Sequence, residues 1–557
     1  MDNYAIADNF SLLSKLMEIH GENSFKTKTY SIAAFNIEKL PMQLAETPRE
    51  KIFAIKGIGD SLGKKIIEML DTGEMQTLNE YLEKTPVGLV EMLNIKGIGP
   101  KKINTIWKEL EVESIGELLY ACNENRLLLY KGFGEKTQTN IRDSIEFYLQ
   151  NQGSYLYAQI ESYAQAMNEK LSSRFSTEKI LLTGFFRRQM EIIDVLEWCA
   201  TVSAIELKKF FIEKEFEAIE EDAETISFKG KENVKLKFFL CDQTSFWKRF
   251  FQTSCSEDFL IGWEKQCSIP THAKSEEEIF EAANLPFIIP PLRENDSIIA
   301  KTKINNRNEV IQVSDIRSVI HSHSNWSDGV NTIEEMALAL VKKGYEFLVL
   351  SDHSKSAFYA NGLTIERIKE QHYYIDELNR KLKPFRIFKS IECDILNDGS
   401  LDYADEILAT FDLVITSVHS NLKMNEEKAM QRLLGAIKNP YTTILGHMTG
   451  RLLLSRNGYP VDHKKIIDAC AENHVAIELN AHPRRLDIDW RWIDYALEKN
   501  VFISIDPDAH SVEGFKDVKY GVLAAQKGGV SKEQNLTSFT LQQFENYLEH
   551  IKKLKSI

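Results

Sequence analysis

Six times between Val319 and His510 an apolar run ends in histidine or a carboxylate. The runs are V-I-H-S-H at His321 and His323, F-L-V-L-S-D-H at His353, F-K-S-I-E-C-D at Glu392, D-L-V-I-T-S-V-H at His419, T-T-I-L-G-H at His447, and V-F-I-S-I-D-P-D-A-H at Asp508 and His510. Asp328 follows the first run in a loop. Residues two apart on a strand share a face, so His321 and His323 can grip one cation. One H-x-H is weak evidence, but core strands have no use for a polar ligand at every carboxyl end, whereas a (β/α) barrel builds its active site there. The pattern predicts a multinuclear metal site at the mouth of a parallel barrel.

With 557 residues the chain has room for several domains. It has no apolar run of about 18 residues, which excludes a spanning helix, and the start M-D-N-Y-A-I-A-D-N-F lacks a secretory pattern. The seven cysteines show no C-x-x-C spacing and read as reduced thiols, so the expected location is cytoplasmic. A net charge of −14 does not suggest a general polyanion binder, and residues 1–150 carry 18 basic against 22 acidic side chains. Any nucleic-acid contact must therefore use local clusters and backbone amides. Only His20 precedes His272, which confines imidazole chemistry to the C-terminal half. There His372, His463, His474 and His550 read as surface residues, and His482 as near the mouth but outside the ligand pattern.

The N-terminal region is helical by periodicity and contains a repeat. I-K-G-I-G-D-S-L-G-K-K places Gly57 and Gly59 before Lys64 and Lys65; I-K-G-I-G-P-K-K places Gly97 and Gly99 before Lys101 and Lys102; Y-K-G-F-G-E-K places Gly132 and Gly134. Glycine turns at a helix start let backbone N–H groups approach a phosphate, and the lysines add charge. The repetition favours sequence-independent DNA-backbone binding over plain tight turns. These units resemble helix-hairpin-helix motifs, paired as at the amino terminus of family X DNA polymerases. That resemblance makes Lys65 the counterpart of a lysine forming a Schiff base with an abasic sugar; a solvated phosphate contact is the other reading.

From about residue 152 the pattern is mixed α/β. K-I-L-L-T-G-F-F-R-R resembles the family's G-S-x-R-R, with Gly184, Arg187 and Arg188 in place and Phe185 where the phosphate-binding serine belongs. The family's D-x-D aligns with Ile192 and Asp194, Glu191 being an imperfect substitute, and its third aspartate with Lys235. Two Mg²⁺ ions need clustered carboxylates. A palm that folds but does not polymerise, without a Mg²⁺ pair, is expected.

From about Ile311 onward H-S-H-S-N-W-S-D-G, S-D-H-S-K-S-A-F-Y-A-N-G-L, I-E-C-D-I-L, S-V-H-S, G-H-M-T-G-R-L-L and D-A-H-S resemble, in order, the motifs of a polymerase and histidinol phosphatase (PHP) domain fused to bacterial family X polymerases. Met448 stands where proline is usual. The resemblance implies a distorted (β/α)7 barrel with up to three divalent metals. His321, His323, Glu392 and Asp508 would surround one; Glu392, His419 and His447 a second; Asp328, His353 and His510 a third. Glu392 and Asp508 would hold a bridging hydroxide, and Mn²⁺, Zn²⁺ or Fe²⁺ suits such ligands better than Mg²⁺. Arg451 and Arg485 fit phosphate contacts or surface salt bridges equally.

The chain thus divides into a lyase-like helical segment with the first hairpin (1–85), a fingers-like hairpin segment (86–150), a degenerate palm and thumb (151–290), a linker (291–310) and the metallo-domain (311–557). The expected function is metal-dependent 3′–5′ exonuclease or 3′-end phosphoesterase action in repair, on DNA that is gapped or has damaged 3′ ends. The competing readings are an active gap-filling polymerase with proofreading, a non-catalytic DNA-binding adaptor, and a small-molecule phosphatase, which would leave the hairpins unexplained.

Overall fold

The computed structural model describes every residue except 2, 39, 41, 151–152, 231–232 and 305–308. The expected start of the palm at 151 and part of the 291–310 linker therefore lie outside the described residues. The chain forms two compact units, Met1–Tyr148 and Leu149–Ile557. Among the described residues no helix is long and apolar enough to cross a membrane.

The first unit is all helical. Its three G-x-G turns share one device: Gly57, Gly97 and Gly132 take φ of +92°, +91° and +96°, a region that side chains with a Cβ avoid. Each turn delivers the chain into a helix, at Asp60–Thr72, Pro100–Lys108 and Glu135–Gln150. Pro100 occupies a first-turn position whose N–H would be unpaired anyway.

The second unit begins with a five-stranded mixed sheet. Strand β1 (Ile180–Thr183) runs antiparallel to β2 (Val195–Ala200), which is parallel to β5 (Lys235–Leu240); β4 (Thr225–Lys229) and β3 (Glu217–Glu221) follow as antiparallel neighbours. Leu196, Trp198, Leu236 and Phe238 bury one face. A smaller core around Phe251, Trp263 and Phe280 lies beyond it. There Arg293, with no exposed surface, is held by Glu276 at 2.6 Å and by the Ile288 carbonyl at 2.7 Å.

The described strands after residue 310 are all parallel: β6 (Ser318–Val319), β7 (Phe347–Leu350), β8 (Arg386–Lys389), β9 (Glu392–Asp394), β10 (Val414–Ser417), β11 (Thr442–Leu445), β12 (Ala476–Asn480) and β13 (Ile503–Asp506). β8 and β9 are one chain direction interrupted at Ser390 and Ile391. Parallel bridges His353↔Glu392 and Ser322↔Ala509 link the two sheets at either side. The strands are buried on both faces, as parallel strands covered by helices must be. The C-terminal helix Leu541–Lys555 packs Phe544 against Phe347 and Phe388, and its Leu548 and Ile551 join the same core.

Helix packing on these strands leaves no room at Gly521. A Cβ there would lie 2.5 Å from Ala481 Cβ and 2.6 Å from Ile505 Cγ2. Alanine is ordinarily the better helix former by about 1 kcal/mol, but overpacking costs about 1–3 kcal/mol. Gly521→Ala is expected to lower the midpoint of chemical unfolding; a raised midpoint would show that the helix can shift outward freely.

Candidate metal centre and the degenerate palm

The nine residues singled out from sequence converge on one buried site. His321 and His323 follow β6, His353 follows β7, Glu392 opens β9, His419 and His447 follow β10 and β11, and Asp508 and His510 follow β13. Asp328 reaches in from the loop after His323, where a Cβ at Gly329 would meet the His323 carbonyl at 2.2 Å. His321 and Asp508 take φ of +59° and +51°, backbone strain of the kind that functional sites retain.

Glu392 is the hub. Its Oε1 lies 2.9 Å from His447 Nε2, 3.1 Å from His419 Nε2 and 3.3 Å from His321 Nε2, while Oε2 lies 2.9 Å from His353 Nδ1 and 3.7 Å from His323 Nε2. Asp508 Oδ1 lies 3.0 Å from His323 Nε2 and 3.4 Å from His321 Nε2. Asp328 faces His353 Nε2 at 3.5 Å and His510 Nε2 at 3.4 Å. Among the described residues, groups with ligand atoms within reach of a single ion include His323, Asp328, His353 and His510; His321, His323 and Asp508; and His353, Glu392 and His419. They overlap the three sets expected from sequence, with His323 and His353 each serving two.

Divalent cations fit this donor set on the evidence of the protein's own atoms. His321 Nε2, both ring nitrogens of His353, Asp328 Oδ2 and Glu392 Oε2 are fully buried and make no hydrogen bond. Buried polar atoms are rarely left so, and imidazole lone pairs with carboxylate oxygens make an ordinary set for Mn²⁺, Zn²⁺ or Fe²⁺. Burial, with the neighbouring His353 and His510, drives His323 down to about 3, and burial with Arg485 does the same to His447, so both are neutral lone-pair donors at neutral pH. Burial also opposes charge on His353, but Asp328 and Glu392 overcome it and lift that ring to about 10.

Partners that sequence reasoning missed hold the ligands in place. Glu478 on β12 accepts from His321 Nδ1 at 2.6 Å, Asp394 on β9 bonds His419 Nδ1, and Asn480 donates to Asp508 at 3.1 Å. Such contacts fix the tautomer and aim of metal-binding imidazoles. A signal existed for Glu478, because V-A-I-E-L-N ends a further apolar run on a carboxylate and an amide. Asp352 instead organises the loop, accepting from Ser324, Ser327 and Gln371.

The two arginines part ways. Arg485 is buried with Nε 3.8 Å from Asp508 Oδ2, facing the centre. Arg451 forms an ion pair with Asp489, partly buried rather than at the surface, and donates to the carbonyls of Arg485 and Leu486. His482 lies beside Arg485 and is pushed down to about 3 by burial and that arginine. His372, expected at the surface, is half-buried against the Phe411 ring at 4.8 Å; His463 stacks on Trp492.

In the palm, strand register corrects the alignment made from sequence. Ile192 belongs to a separate two-residue ribbon with Leu156, and Asp194 is exposed and accepts from Ser154 Oγ at 2.6 Å. Lys235 pairs with Val195 and Lys237 with Glu197, so the slots beside the lysine are Val195 and Glu197, three residues further on. The segment after Arg188 is short, and only the ladder shows where β2 begins. Glu197 Oε2 accepts from the Phe185 N–H at 3.0 Å, filling the turn where the family's phosphate loop lies. Arg187 is bidentate with Glu276 at 2.9 and 2.8 Å, and Arg188 is buried against Glu294 at 2.9 Å. Among the described residues no group of three metal-binding side chains lies in this sheet.

In the first unit, Lys64 and Lys101 are exposed on the helices after their turns. Lys65 is half-buried and donates to Thr77, and Lys102 folds back onto the Gly97 carbonyl at 3.0 Å.

A profile described as "Helix-hairpin-helix domain" matches residues 1–75, and one described as "SAM-like Helix-hairpin-helix tandem" matches residues 89–146. The "DNA polymerase/3'-5' exonuclease PolX" of Bacillus subtilis is 32% identical over 555 residues, covering 96% of this chain and 97% of that protein. The chain belongs to the PolX family. This PolX chain is also similar, over its C-terminal part, to smaller proteins named as probable phosphatases. That of Aliivibrio fischeri is 26% identical over 243 residues, 41% of this chain and 91% of that protein. That of Caldanaerobacter subterraneus is 28% identical over 175 residues, 30% of this chain and 63% of that protein.

Proposed function

We propose that this PolX chain is a metal-dependent phosphodiesterase that trims DNA 3′ ends in its C-terminal domain, and that its palm is a scaffold without polymerase activity. The observation that carries the reading is the surplus of converging buried donors around Glu392. The parallel strands and their two closing bridges are best read as one seven-stranded barrel, with β8 and β9 as a single broken strand. The centre then sits at the carboxyl ends of its strands.

Divalent cations bound there would lower the pKa of a coordinated water and neutralise phosphoryl oxygens. The chain's own residues do the rest. Glu392, Asp508, Asp328 and six imidazoles would hold the cations, Glu478 and Asp394 keep His321 and His419 aimed, and Arg485 adds a fixed positive charge for a phosphate. DNA as substrate rests on the helix-hairpin-helix matches and on the Bacillus relative's name. Lys65 as an abasic-site nucleophile is a weaker reading, since its amine is already engaged as a donor to Thr77 Oγ1.

The deciding test incubates an end-labelled gapped duplex with Mn²⁺ and four deoxynucleotides, comparing wild type, His353→Ala and Asp508→Asn. Shortening from the 3′ end by wild type alone, with no extension by any variant, is the expected result. Extension that persists in the two variants would establish the other reading, a working polymerase, which the Bacillus relative's name also contains.

A further inference from the structure

Glu191 was the spare carboxylate of the polymerase motif, yet it points away from the palm's strands and into the metallo-domain. Only 8% exposed, it accepts from Trp490 Nε1 at 3.1 Å and from Arg491 at 3.1 Å. Arg491 also donates to both oxygens of Asp489 at 3.0 Å. Asp489 in turn pairs with Arg451, whose guanidinium donates to the Arg485 and Leu486 carbonyls. Those residues lie in the segment between β12 and the helix Ile493–Glu498, the segment that carries Arg485 to within 3.8 Å of the ligand Asp508. A second tie runs through the metallo-domain's own Lys527, which lies over the Trp490 ring at 4.5 Å and donates to the palm's Arg188 carbonyl and to Glu294 of the following segment, both at 2.8 Å.

We infer that Glu191 is a positioning residue, bracing from the palm the segment 481–492 that presents Arg485 to the metal centre. Arg485 belongs to a connecting segment rather than to a strand or helix, and the chain of contacts from Glu191 through Asp489 and Arg451 reaches its backbone carbonyl, so its aim responds to that tie. A buried bond from Trp490 Nε1 and a charged one from Arg491 Nη1, which also serves Asp489, give that hold. A degenerate palm that still folds then has a task in hydrolysis, which separates this chain from the shorter probable phosphatases that match only its C-terminal part.

The inference rests on the phosphodiesterase reading for its kinetic consequence but not for its structural one, and two measurements on the full-length protein separate them. Hydrogen exchange of the metal-free protein compares wild type with Glu191→Gln, which keeps the volume, and Glu191→Ala. Amides of residues 484–491 are expected to exchange at least about tenfold faster in both variants, while β10 is unchanged. Hydrolysis of thymidine 5′-(p-nitrophenyl phosphate) with Mn²⁺ is then followed in wild type, Glu191→Gln, Arg485→Ala and the double variant. Glu191→Gln should lower kcat/KM about tenfold at unchanged metal content, and should add nothing in the Arg485→Ala background, since two residues acting through one contact are not additive. Unchanged exchange, or full additivity in the double variant, overturns the brace. A wild type that hydrolyses nothing overturns the phosphodiesterase reading instead, and the exchange result still decides the role of Glu191.

Discussion

Glu392→Gln is expected to abolish hydrolysis to within about 10⁻³ of wild type or below, a loss of about 4 kcal/mol of transition-state stabilisation. Its two oxygens face five of the six converging imidazoles, His321, His323, His353, His419 and His447, within 3.7 Å. Glutamine has the same shape but removes one negative charge, and turns an N–H₂ toward lone pairs that were aimed at a cation. Bound metal, measured by mass spectrometry on dialysed protein, should fall together with rate, because ligand charge and affinity are linked. Retention of both metal and activity would show that the hub is structural. Far-ultraviolet circular dichroism should be unchanged, since the strands are held by backbone ladders that the side chain does not join.

The second large effect is on stability. Glu276 lies between Arg293, which has no exposed surface, and Arg187. Glu276→Ala would strand a buried guanidinium, at a cost of about 3–5 kcal/mol, and is expected to unfold the core around Phe251 and Trp263 at lower denaturant. Three phenylalanine rings, Phe251, Phe280 and Phe287, lie 5.0–5.5 Å from the Arg293 guanidinium and cannot replace a carboxylate as its partner. Acid should do reversibly what the substitution does. Burial alone would raise the Glu276 carboxyl, but Arg293 and Arg187 hold it down at about 2 against 4.5 when unfolded. A carboxylate depressed in this way stabilises the fold fully above about pH 4.5, and the contribution is lost as pH falls through about 2. Wild type should therefore lose stability across that window, while Glu276→Ala, already lacking the group, should show a shallower dependence there. Equal slopes would place the acid sensitivity elsewhere in the chain.

The convergence of the candidate metal site was legible because its residues sit at strand ends, where most are announced by the apolar run before them. Glu478 and Asn480 end such a run too, and hydrogen-bond to His321 and Asp508, a task that nothing in a linear pattern separates from ion binding. Arg451 and Arg485 show the same limit. Both follow ligand strands, and only packing turned one toward Asp508 and the other onto a backbone. The palm was legible in outline, from G-F-F-R-R and the lysine at 235, but its register was not: a shortened loop can be closed anywhere within three residues until the ladder between β2 and β5 is formed.

The sequence by itself determined the repeated glycine turns, since φ near +90° admits little else, and the residue types and order of the nine converging ligands. The tertiary structure alone decided the sharing of Glu392 among five imidazoles, the register that sets Lys235 beside Val195, and the turning of Glu191 into the neighbouring domain. The physical reason is range. Backbone conformation and strand periodicity are set by neighbours in the chain, whereas charge pairing and ligand sharing depend on which of many distant partners is within about 4 Å once the core has closed.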